Sequence, residues 1–259
     1  MGIEHISTFT TAPLPGTSHP GNGVADRHNW AQLTHYEPDW SELRKAKIVT
    51  ETKFDPANAA LDILRTKVLR LMRSKAWRSV ILTSPTAGCG KSVISINLAF
   101  SLARVAELAV VLADLDLRCP KVAEILHLDP LTSMEEFLSG AGSVPDAFVS
   151  CRGSLAIGSN SSPAADPALL LHSTKAQGAI ADIQAFLQPD VLLFDMPPML
   201  ECGDVLAFAQ NVDCALIVAA AGSSTIAEIE ACENELSKVT NVLGVVLNKC
   251  RYLPHYGGY

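Results

Sequence analysis

Short apolar runs alternate with amphipathic segments along most of the chain. The runs read SVILTS, LAVVLADLD, SLAIGS, DVLLFDMPP, CALIVAA and LGVVLNK, and segments with helical spacing such as SVISINLAFSLARVAEL and TIAEIEACENELSKV lie between them. Several runs are apolar at consecutive positions, which is typical of parallel strands that are covered on both faces. The pattern therefore predicts an α/β fold with a mostly parallel central sheet and helices on both faces.

The segment before the first apolar run predicts a helix that leads into this domain. Behind Asp55 as a cap and Pro56 at the first helical position, apolar residues recur at helical spacing: Leu61, Leu64, Val68 and Leu71. Residues 1–50 are instead rich in Thr, Pro, Gly, His and Asn, with Trp30 and Trp40 as isolated apolar positions. We expect a flexible N-terminal arm over residues 1–50, a folded domain over 51–250 and a tail over 251–259.

Composition excludes several classes of function. The 259 residues are 48% hydrophobic with a net charge of −7, so we expect no broad basic surface for nucleic acid or anionic lipid. No apolar run reaches the roughly 18 to 20 residues of a membrane-spanning helix, and the pattern of a signal peptide is missing. The seven cysteines show neither CxxC pairs nor zinc-site spacing, which is typical of reduced thiols in a cytosolic protein. Any membrane association is therefore expected to come through a partner.

The strongest motif is LTSPTAGCGKSVISINLA, an apolar run followed by a loop and a helix. Gly88 and Gly90 let backbone N–H groups point at phosphate oxygens, and the helix N-terminus adds the positive end of its dipole. Lys91 would neutralise the β and γ phosphates, and the Ser92 hydroxyl would ligate Mg²⁺. Pro85 stands where the GxxxxGK[ST] pattern has its first glycine. A glycine-rich turn explains the glycines but not Gly-Lys-Ser at the helix start, so we expect a nucleotide site formed by Ala87, Gly88, Cys89, Gly90, Lys91, Ser92 and Val93.

Acidic side chains follow two further strands. Asp114 and Asp116 lie two residues apart in VVLADLDLRCP, so both carboxylates point to the same side of the strand end. One acid there can cap the next helix, but two before Arg118 favour a bound Mg²⁺ or a raised pKa on one carboxyl. Asp195 ends the strand DVLLFD, a usual position for holding the water shell of Mg²⁺, although aspartate before a Pro-Pro turn is also common. The predicted metal site consists of Ser92, Asp114 and Asp195.

These motifs, in this order, resemble those of the bacterial tyrosine autokinases of capsule and exopolysaccharide synthesis, within the Min/Par class of P-loop ATPases. The resemblance covers about residues 55–259. SPTAGCGKS is similar to the family's S-P-x-P-G-x-G-K-S loop, VVLADLDLRCP to its D-x-D-x-R motif, and VLLFDMPP to its Walker B segment apart from Met196. Further similarities are DPALLL at 166–171, GVVLNK with Asn248, and Asp204 downstream of the proline pair.

The resemblance implies an ATP-dependent protein-tyrosine kinase that uses Mg²⁺. The asparagine at the position of Asn248 lies by the adenine base in the family, and we expect Arg118 to contact the nucleotide as well. The expected catalytic residues are Lys91, Asp114, Asp116 and Asp195, and Asp114 or Asp116 would accept the tyrosine proton.

The resemblance also implies a substrate and partners. The family's C-terminal tail carries tyrosines that a neighbouring copy phosphorylates, which makes RYLPHYGGY the expected substrate, with phosphoacceptors at Tyr252, Tyr256 and Tyr259. The expected partners are further copies of the chain and a membrane adaptor of the chain-length-regulator type. Such an adaptor would recruit this cytoplasmic protein to the inner face of the membrane and link it to polysaccharide polymerisation and export.

One helix departs from the family pattern. Family members join subunits into a ring through a Glu-x-x-Arg-x-x-Arg-Thr helix, whereas ALDILRT keeps Arg65 and Thr66 but has Asp62 and Ala59 at the earlier positions. Because Asp62 inverts a charge, it should break pairings built for a basic residue. An alternative function is therefore a Min/Par-like ATPase switch, or an ATP-bound scaffold of an export complex, without tyrosine kinase activity.

Two observations favour the kinase over that switch. Pro254 and the Gly257-Gly258 pair oppose the basic amphipathic helix in which membrane-cycling ATPases often end. Thr86 and Ala87 do not supply the extra lysine on which their ATP sandwich dimers depend. A metabolic P-loop kinase for a small substrate would need a substrate pocket that the sequence does not identify.

Overall fold

The structure, a computed structural model, describes residues 27–51, 55–129 and 133–250. The predicted tail with Tyr252, Tyr256 and Tyr259 lies outside the described residues, and so does the first half of the predicted N-terminal arm.

Helices and strands alternate along the chain in the way that the apolar pattern predicts. In chain order the elements are a 3-10 helix (Arg27–Gln32), β1 (Thr34–His35), α1 (Trp40–Lys45), α2 (Pro56–Lys75), β2 (Ser79–Thr83), α3 (Lys91–Ala103), β3 (Val110–Asp114), α4 (Val122–Leu126), α5 (Met134–Leu138), α6 (Val144–Ala147), β4 (Phe148–Cys151), β5 (Leu155–Gly158), α7 (Pro167–Leu171), α8 (Thr174–Leu187), β6 (Val191–Asp195), α9 (Asp204–Ala209), β7 (Cys214–Ala220), α10 (Ile226–Leu236) and β8 (Asn241–Asn248).

The strands form one eight-stranded sheet in the order β1-β4-β5-β3-β6-β2-β7-β8. Every neighbouring pair is parallel except β4 and β5, which form an antiparallel hairpin. The predicted α/β class with a mostly parallel sheet is confirmed. The sequence did not predict β1 and β4, the two strands at one edge.

Both faces of the central strands are buried, which explains their consecutive apolar residues. Along β2, Val80 and Leu82 pack into one core cluster while Ile81 packs into the other. Helices α1 to α4 contribute to the first cluster and α5 to α10 to the second. Since side chains alternate between the two faces of a strand, a sheet with two cores needs apolar residues at every position.

The strand register places the predicted site at one edge of the sheet. Asp114 at the end of β3 pairs with Asp195 at the end of β6, and Asp195 also pairs with Leu82 near the end of β2. The loop of residues 84–90 follows β2 directly and leads into α3. The three predicted motifs therefore meet at the carboxyl ends of three adjacent parallel strands, where ligands of such sheets bind.

Helix α2 forms as the periodic apolar residues predict. The Asp55 side chain accepts a hydrogen bond from the Ala57 N–H, and Pro56 occupies the first turn. The predicted apolar positions 61, 64 and 68 are fully buried, and Met72 takes the place predicted for Leu71, which is half-buried.

Part of the predicted N-terminal arm contacts the folded domain. Residues 27–50 pack against the domain: Trp30 is 3% exposed and its Nε1 donates to the Leu187 carbonyl over 2.9 Å. Strand β1 pairs with β4, and the Arg152 guanidinium lies 4.8 Å from the centre of the Trp40 ring. The low-periodicity sequence is a strap whose partners lie far away in the chain, so local composition did not reveal its order.

Among the described residues, no helix is both long and apolar enough to cross a membrane.

Candidate functional site

The loop between β2 and α3 has the backbone shape that a phosphate cradle requires. Gly88 and Gly90 both adopt left-handed conformations, with φ of +77° and +86°. A Cβ atom at Gly90 would lie 2.4 Å from Asn248 Nδ2, so any other residue there would have to displace that amide. Gly90 also leaves the start of α3 without a side-chain cap. The loop therefore presents the start of a 13-residue helix to an anion.

Lys91 reaches from the first position of α3 into the acidic end of the sheet. Its Nζ lies 2.5 Å from Asp116 Oδ2, and the side chains are 11% and 3% exposed. Burial works against the lysine charge, but the carboxylates of Asp195, Asp116 and Asp114 outweigh it and raise the pKa of Lys91. A charged lysine is thus held at the phosphate loop by three buried acids.

The two acids that follow β3 differ in their partners. Asp116 accepts from Lys91 and, through Oδ1, from the Cys119 N–H over 3.1 Å. Asp114 is fully buried, and its oxygens accept the N–H groups of Asp116 at 3.2 Å and of Val122 at 3.1 Å. The Val122 contact caps the start of α4, so one of the two acids also has the structural role that the sequence left open. Burial, reinforced by the charge of Asp195, raises the pKa of Asp114 well above its usual range.

Asp195 is the acid with a free oxygen. Its Oδ1 accepts from the Ser95 hydroxyl over 2.8 Å, whereas its buried Oδ2 has no hydrogen-bond partner among the described residues. Burial raises the pKa of Asp195, although the charge of Lys91 and the nearby Ser92 and Ser95 hydroxyls oppose the shift. An orphaned, fully buried carboxylate oxygen beside the phosphate loop fits a bound cation or its water shell.

Arg118 and Asn248 already have partners within the chain. Arg118 donates from Nε and one terminal nitrogen to both oxygens of Asp204, at 2.7 and 2.8 Å, and this contact raises the pKa of Arg118. Asn248 is 2% exposed and its Nδ2 donates to the Cys89 carbonyl over 2.9 Å. Asn248 therefore supports the phosphate loop from outside. Contacts of Arg118 and Asn248 with a nucleotide stay predictions.

Sequence reasoning missed two residues of this site. Ser95 lies one helical turn after Lys91, so its place on the same face of α3 was a readable signal. Glu201 accepts the Ala87 N–H over 2.5 Å from the loop after β6, and no local pattern indicates that contact. The predicted residues Cys89, Ser92 and Val93 lie in the loop and the first turn of α3 as expected.

No cluster of three or more His, Cys, Asp or Glu side chains with metal-binding geometry occurs within residues 27–51, 55–129 and 133–250. The residues that come nearest to forming a cation site are Ser92, with its hydroxyl, and Asp195, with its carboxylate. Mg²⁺ commonly binds through one or two protein ligands and completes its shell with phosphate oxygens and water.

The chain is similar in sequence and in fold to known proteins. The family model described as ParA, NUBPL iron-transfer P-loop NTPase, matches residues 76–256. The tyrosine-protein kinase CpsD of Streptococcus pneumoniae serotype 4 is 28% identical over 173 residues, which cover 66% of this chain and 75% of CpsD. The predicted resemblance to bacterial tyrosine kinases is confirmed.

Solved kinase domains have the same fold. The VpsO kinase domain is 27% identical with a TM-score of 0.68, over 80% of this chain and 98% of that domain. The kinase domain of the Escherichia coli tyrosine kinase ETK is 21% identical with a TM-score of 0.72, over 94% and 100% of the two chains. Some other curated relatives are longer proteins, and this chain spans only 34% and 27% of two of them.

Proposed function

Because the chain belongs to the ParA family of P-loop NTPases and is related to bacterial tyrosine kinases, we propose that it is an ATP-dependent protein-tyrosine kinase. The observation that carries the proposal is one lysine among three buried carboxylates at the phosphate loop. These four residues are the proposed catalytic group: Lys91, Asp114, Asp116 and Asp195. The proposed acceptors, in another copy of the chain, are Tyr252, Tyr256 and Tyr259.

The residues of the site fit Mg-ATP. The loop from Ala87 to Val93 would hold the phosphate chain, and the free Oδ2 of Asp195 with the Ser92 hydroxyl would hold Mg²⁺ or its water shell. Asp114 is the third proposed metal residue. When bound, the cation neutralises charge that develops on the phosphate oxygens. Asn248 lies behind the loop on the side of β8, which supports its proposed place beside the base.

The proposed reaction is an in-line transfer. The phenol oxygen of an acceptor tyrosine forms a bond to the γ-phosphorus while the bond from that phosphorus to the leaving oxygen of ADP breaks, and the phenol proton passes to Asp114 or Asp116. Of these two acids, Asp116 also holds the Lys91 ammonium in place. Arg118, held by Asp204, is the proposed second basic group near the phosphates.

The proposed setting is polysaccharide polymerisation and export at the inner face of the membrane. A relative from Klebsiella pneumoniae that is named a putative tyrosine-protein kinase in the cps region supports that setting. The proposed partners are other copies of the chain and a membrane adaptor that recruits this cytoplasmic protein. Each phosphate adds roughly −1.5 to −2 charge, so three would add roughly −5 to −6 to the net charge of −7 and favour separation of neighbouring copies.

Mass spectrometry of purified protein incubated with Mg-ATP tests the kinase. We expect phosphate on Tyr252, Tyr256 or Tyr259, absent in Lys91→Met and present in Lys238→Met, which removes a surface lysine paired with Glu235. The assay is run with and without the candidate adaptor. ATP hydrolysis without phosphotyrosine under both conditions would refute the kinase.

A second candidate, an ATPase switch or scaffold, has one specific observation in its favour. The Arg65 guanidinium lies 2.6 Å from Asp62 and 3.2 Å from the Ser101 hydroxyl, so it is engaged within its own subunit. An arginine held this way is less free to join subunits. A mass in solution well above a dimer would contradict this argument, while a monomer or dimer that hydrolyses ATP would support the switch.

A further inference from the structure

A carboxylate occupies one backbone donor of the phosphate loop. The Ala87 N–H donates to Glu201 Oε1 over 2.5 Å. Glu201 belongs to the loop after β6, and two backbone bonds hold that loop alongside the phosphate loop: Met199 N–H to the Ser84 carbonyl at 2.8 Å and Leu200 N–H to the Pro85 carbonyl at 3.1 Å. The two segments run side by side, and the hydrogen bond from Ala87 to the Glu201 side chain adds a third contact between them.

Strand order indicates which end of a bound nucleotide faces Glu201. Asn248 is the last residue of β8, two strands to one side of β2, while Glu201 follows β6, the neighbour of β2 on the other side. Lys91 and Asp116 also lie toward β6 and β3. A nucleotide whose base lies near Asn248 therefore extends its phosphate chain toward Glu201, and the terminal phosphate comes closest.

The far end of the same loop is anchored as well. Asp204 is 0% exposed and takes both hydrogen bonds from Arg118. With backbone pairing at Met199 and Leu200 before it, Glu201 stands on a loop held at both ends. Its side chain is exposed at the loop surface, so it can leave the Ala87 N–H by rotation alone.

Resting on the proposed nucleotide site, we propose that Glu201 is a specificity-determining residue that competes with the terminal phosphate for the phosphate loop. A carboxylate oxygen and a phosphate oxygen are both anionic acceptors for a backbone N–H. A third phosphate must displace Glu201 from Ala87 and then lie beside its negative charge, whereas a diphosphate ends one group earlier. Glu201 therefore weakens binding of ATP more than binding of ADP.

Three variants separate charge from hydrogen bonding. Glu201→Gln keeps an oxygen acceptor and removes the charge, Glu201→Ala removes both, and Glu235→Gln removes one charge from an exposed ion pair with Lys238 at the far end of α10. Dissociation constants for ATP and ADP are measured by calorimetry with saturating Mg²⁺ at low ionic strength. We expect Glu201→Gln to tighten ATP by about fivefold, the scale of one partly exposed charge contact, and ADP by less than about twofold.

The salt dependence gives a second readout. The gain in ATP affinity should shrink at high ionic strength, because salt screens an exposed charge, and Glu235→Gln should match the wild type throughout. An unchanged ratio of ATP to ADP affinity in both Glu201 variants, or weaker ATP binding in Glu201→Gln, overturns this inference but leaves the proposed function standing. A wild-type protein that binds neither nucleotide overturns the proposed function and this inference with it.

Discussion

Replacing Lys91 by Met tests how much one buried cation holds three buried acids together. The lysine ammonium contacts Asp116 at 2.5 Å, and neither side chain is more than 11% exposed. Methionine keeps most of the apolar stem and removes the charge. The variant therefore leaves Asp114, Asp116 and Asp195 with no cation at contact distance within the described chain.

The expected loss of stability follows from burial. Removing one partner of a buried ion pair typically costs about 3–5 kcal/mol, because the other charge stays buried and unpaired. Relief from burying the lysine itself offsets part of that cost. We expect the free energy of unfolding of the protein without Mg²⁺ or nucleotide to fall by about 3 kcal/mol at pH 8.

The loss should depend on pH with a definite sign. Burial already raises the pKa of Asp114 and Asp195 above their ordinary values in the wild type, and loss of the Lys91 charge raises them further. At pH values between the ordinary aspartate pKa and these raised pKa values, the folded variant binds more protons than the unfolded chain. Its stability therefore falls as pH rises through that window. The lysine itself has a raised pKa and stays charged throughout. The loss should therefore be smaller at pH 5 than at pH 8, by about 1 kcal/mol or more.

Urea unfolding of wild type and variant at pH 5 and pH 8 measures both quantities. Lys238→Met is the matched control; its exposed pair with Glu235 should contribute less than about 1 kcal/mol at either pH. Adding Asp116→Asn to Lys91→Met should restore part of the loss at pH 8. An equal loss at the two pH values, or a total loss below about 1 kcal/mol, would refute the idea that Lys91 compensates buried charge.

Three further substitutions test single contacts by urea unfolding. Ser95→Ala removes the hydroxyl that lies 2.8 Å from Asp195 Oδ1. The free energy of unfolding should fall by about 1 kcal/mol, and by more at pH 8 than at pH 5, because a hydrogen bond to the charged carboxylate is lost. A loss of stability that does not depend on pH would contradict this. Arg118→Met leaves Asp204 buried and unpaired and should lower the free energy of unfolding by about 2 kcal/mol. Adding Asp204→Asn should recover most of that loss, and no recovery would count against a stabilising Arg118–Asp204 pair. Trp30→Phe deletes the bond from Nε1 to the last carbonyl of α8 and should cost about 1–2 kcal/mol, whereas an unchanged stability would mean that the strap does not contribute to the fold.

The sheet and the meeting of the three motifs were predictable from the sequence. Consecutive apolar residues in runs such as VLLFD indicate strands with two covered faces, and parallel strands bring their carboxyl ends to one edge. Lys91, Asp116 and Asp195 could be placed near one another on those grounds before any distance was known.

The strap was not predictable because its order comes from distant contacts. Trp30 and Asn29 donate to carbonyls of residues 187 and 186, and the Tyr36 hydroxyl to the carbonyl of residue 126, which lie 157, 157 and 90 positions away. A segment without a period of its own shows no local sign of such partners. Its isolated aromatic residues were the available signal, and they indicate docking only once the surface beneath them is known.

Partners within the site were also beyond the sequence, because side-chain pairing depends on tertiary placement. Asp114 and Asp116 look equivalent in the motif, yet one caps α4 and the other holds Lys91. The pairing of Arg118 with Asp204 joins positions 86 residues apart, and the contact of Glu201 with Ala87 joins positions 114 apart. Motifs predict which groups reach the edge of the sheet, and packing then decides which of them remain free.

The candidate site carries a surplus of negative charge. One lysine faces three buried carboxylates, two of which have raised pKa values, and Glu201 adds a fourth acid at the mouth of the loop. A polyphosphate entering alone would add charge of the same sign, so its approach is opposed unless a cation comes with it. Such a cation would gain the most interaction free energy at the free Oδ2 of Asp195, because this buried acceptor is removed from solvent and has no hydrogen-bond partner in the described chain. Nucleotide affinity should therefore fall steeply when Mg²⁺ is chelated, and more steeply for the wild type than for Glu201→Gln.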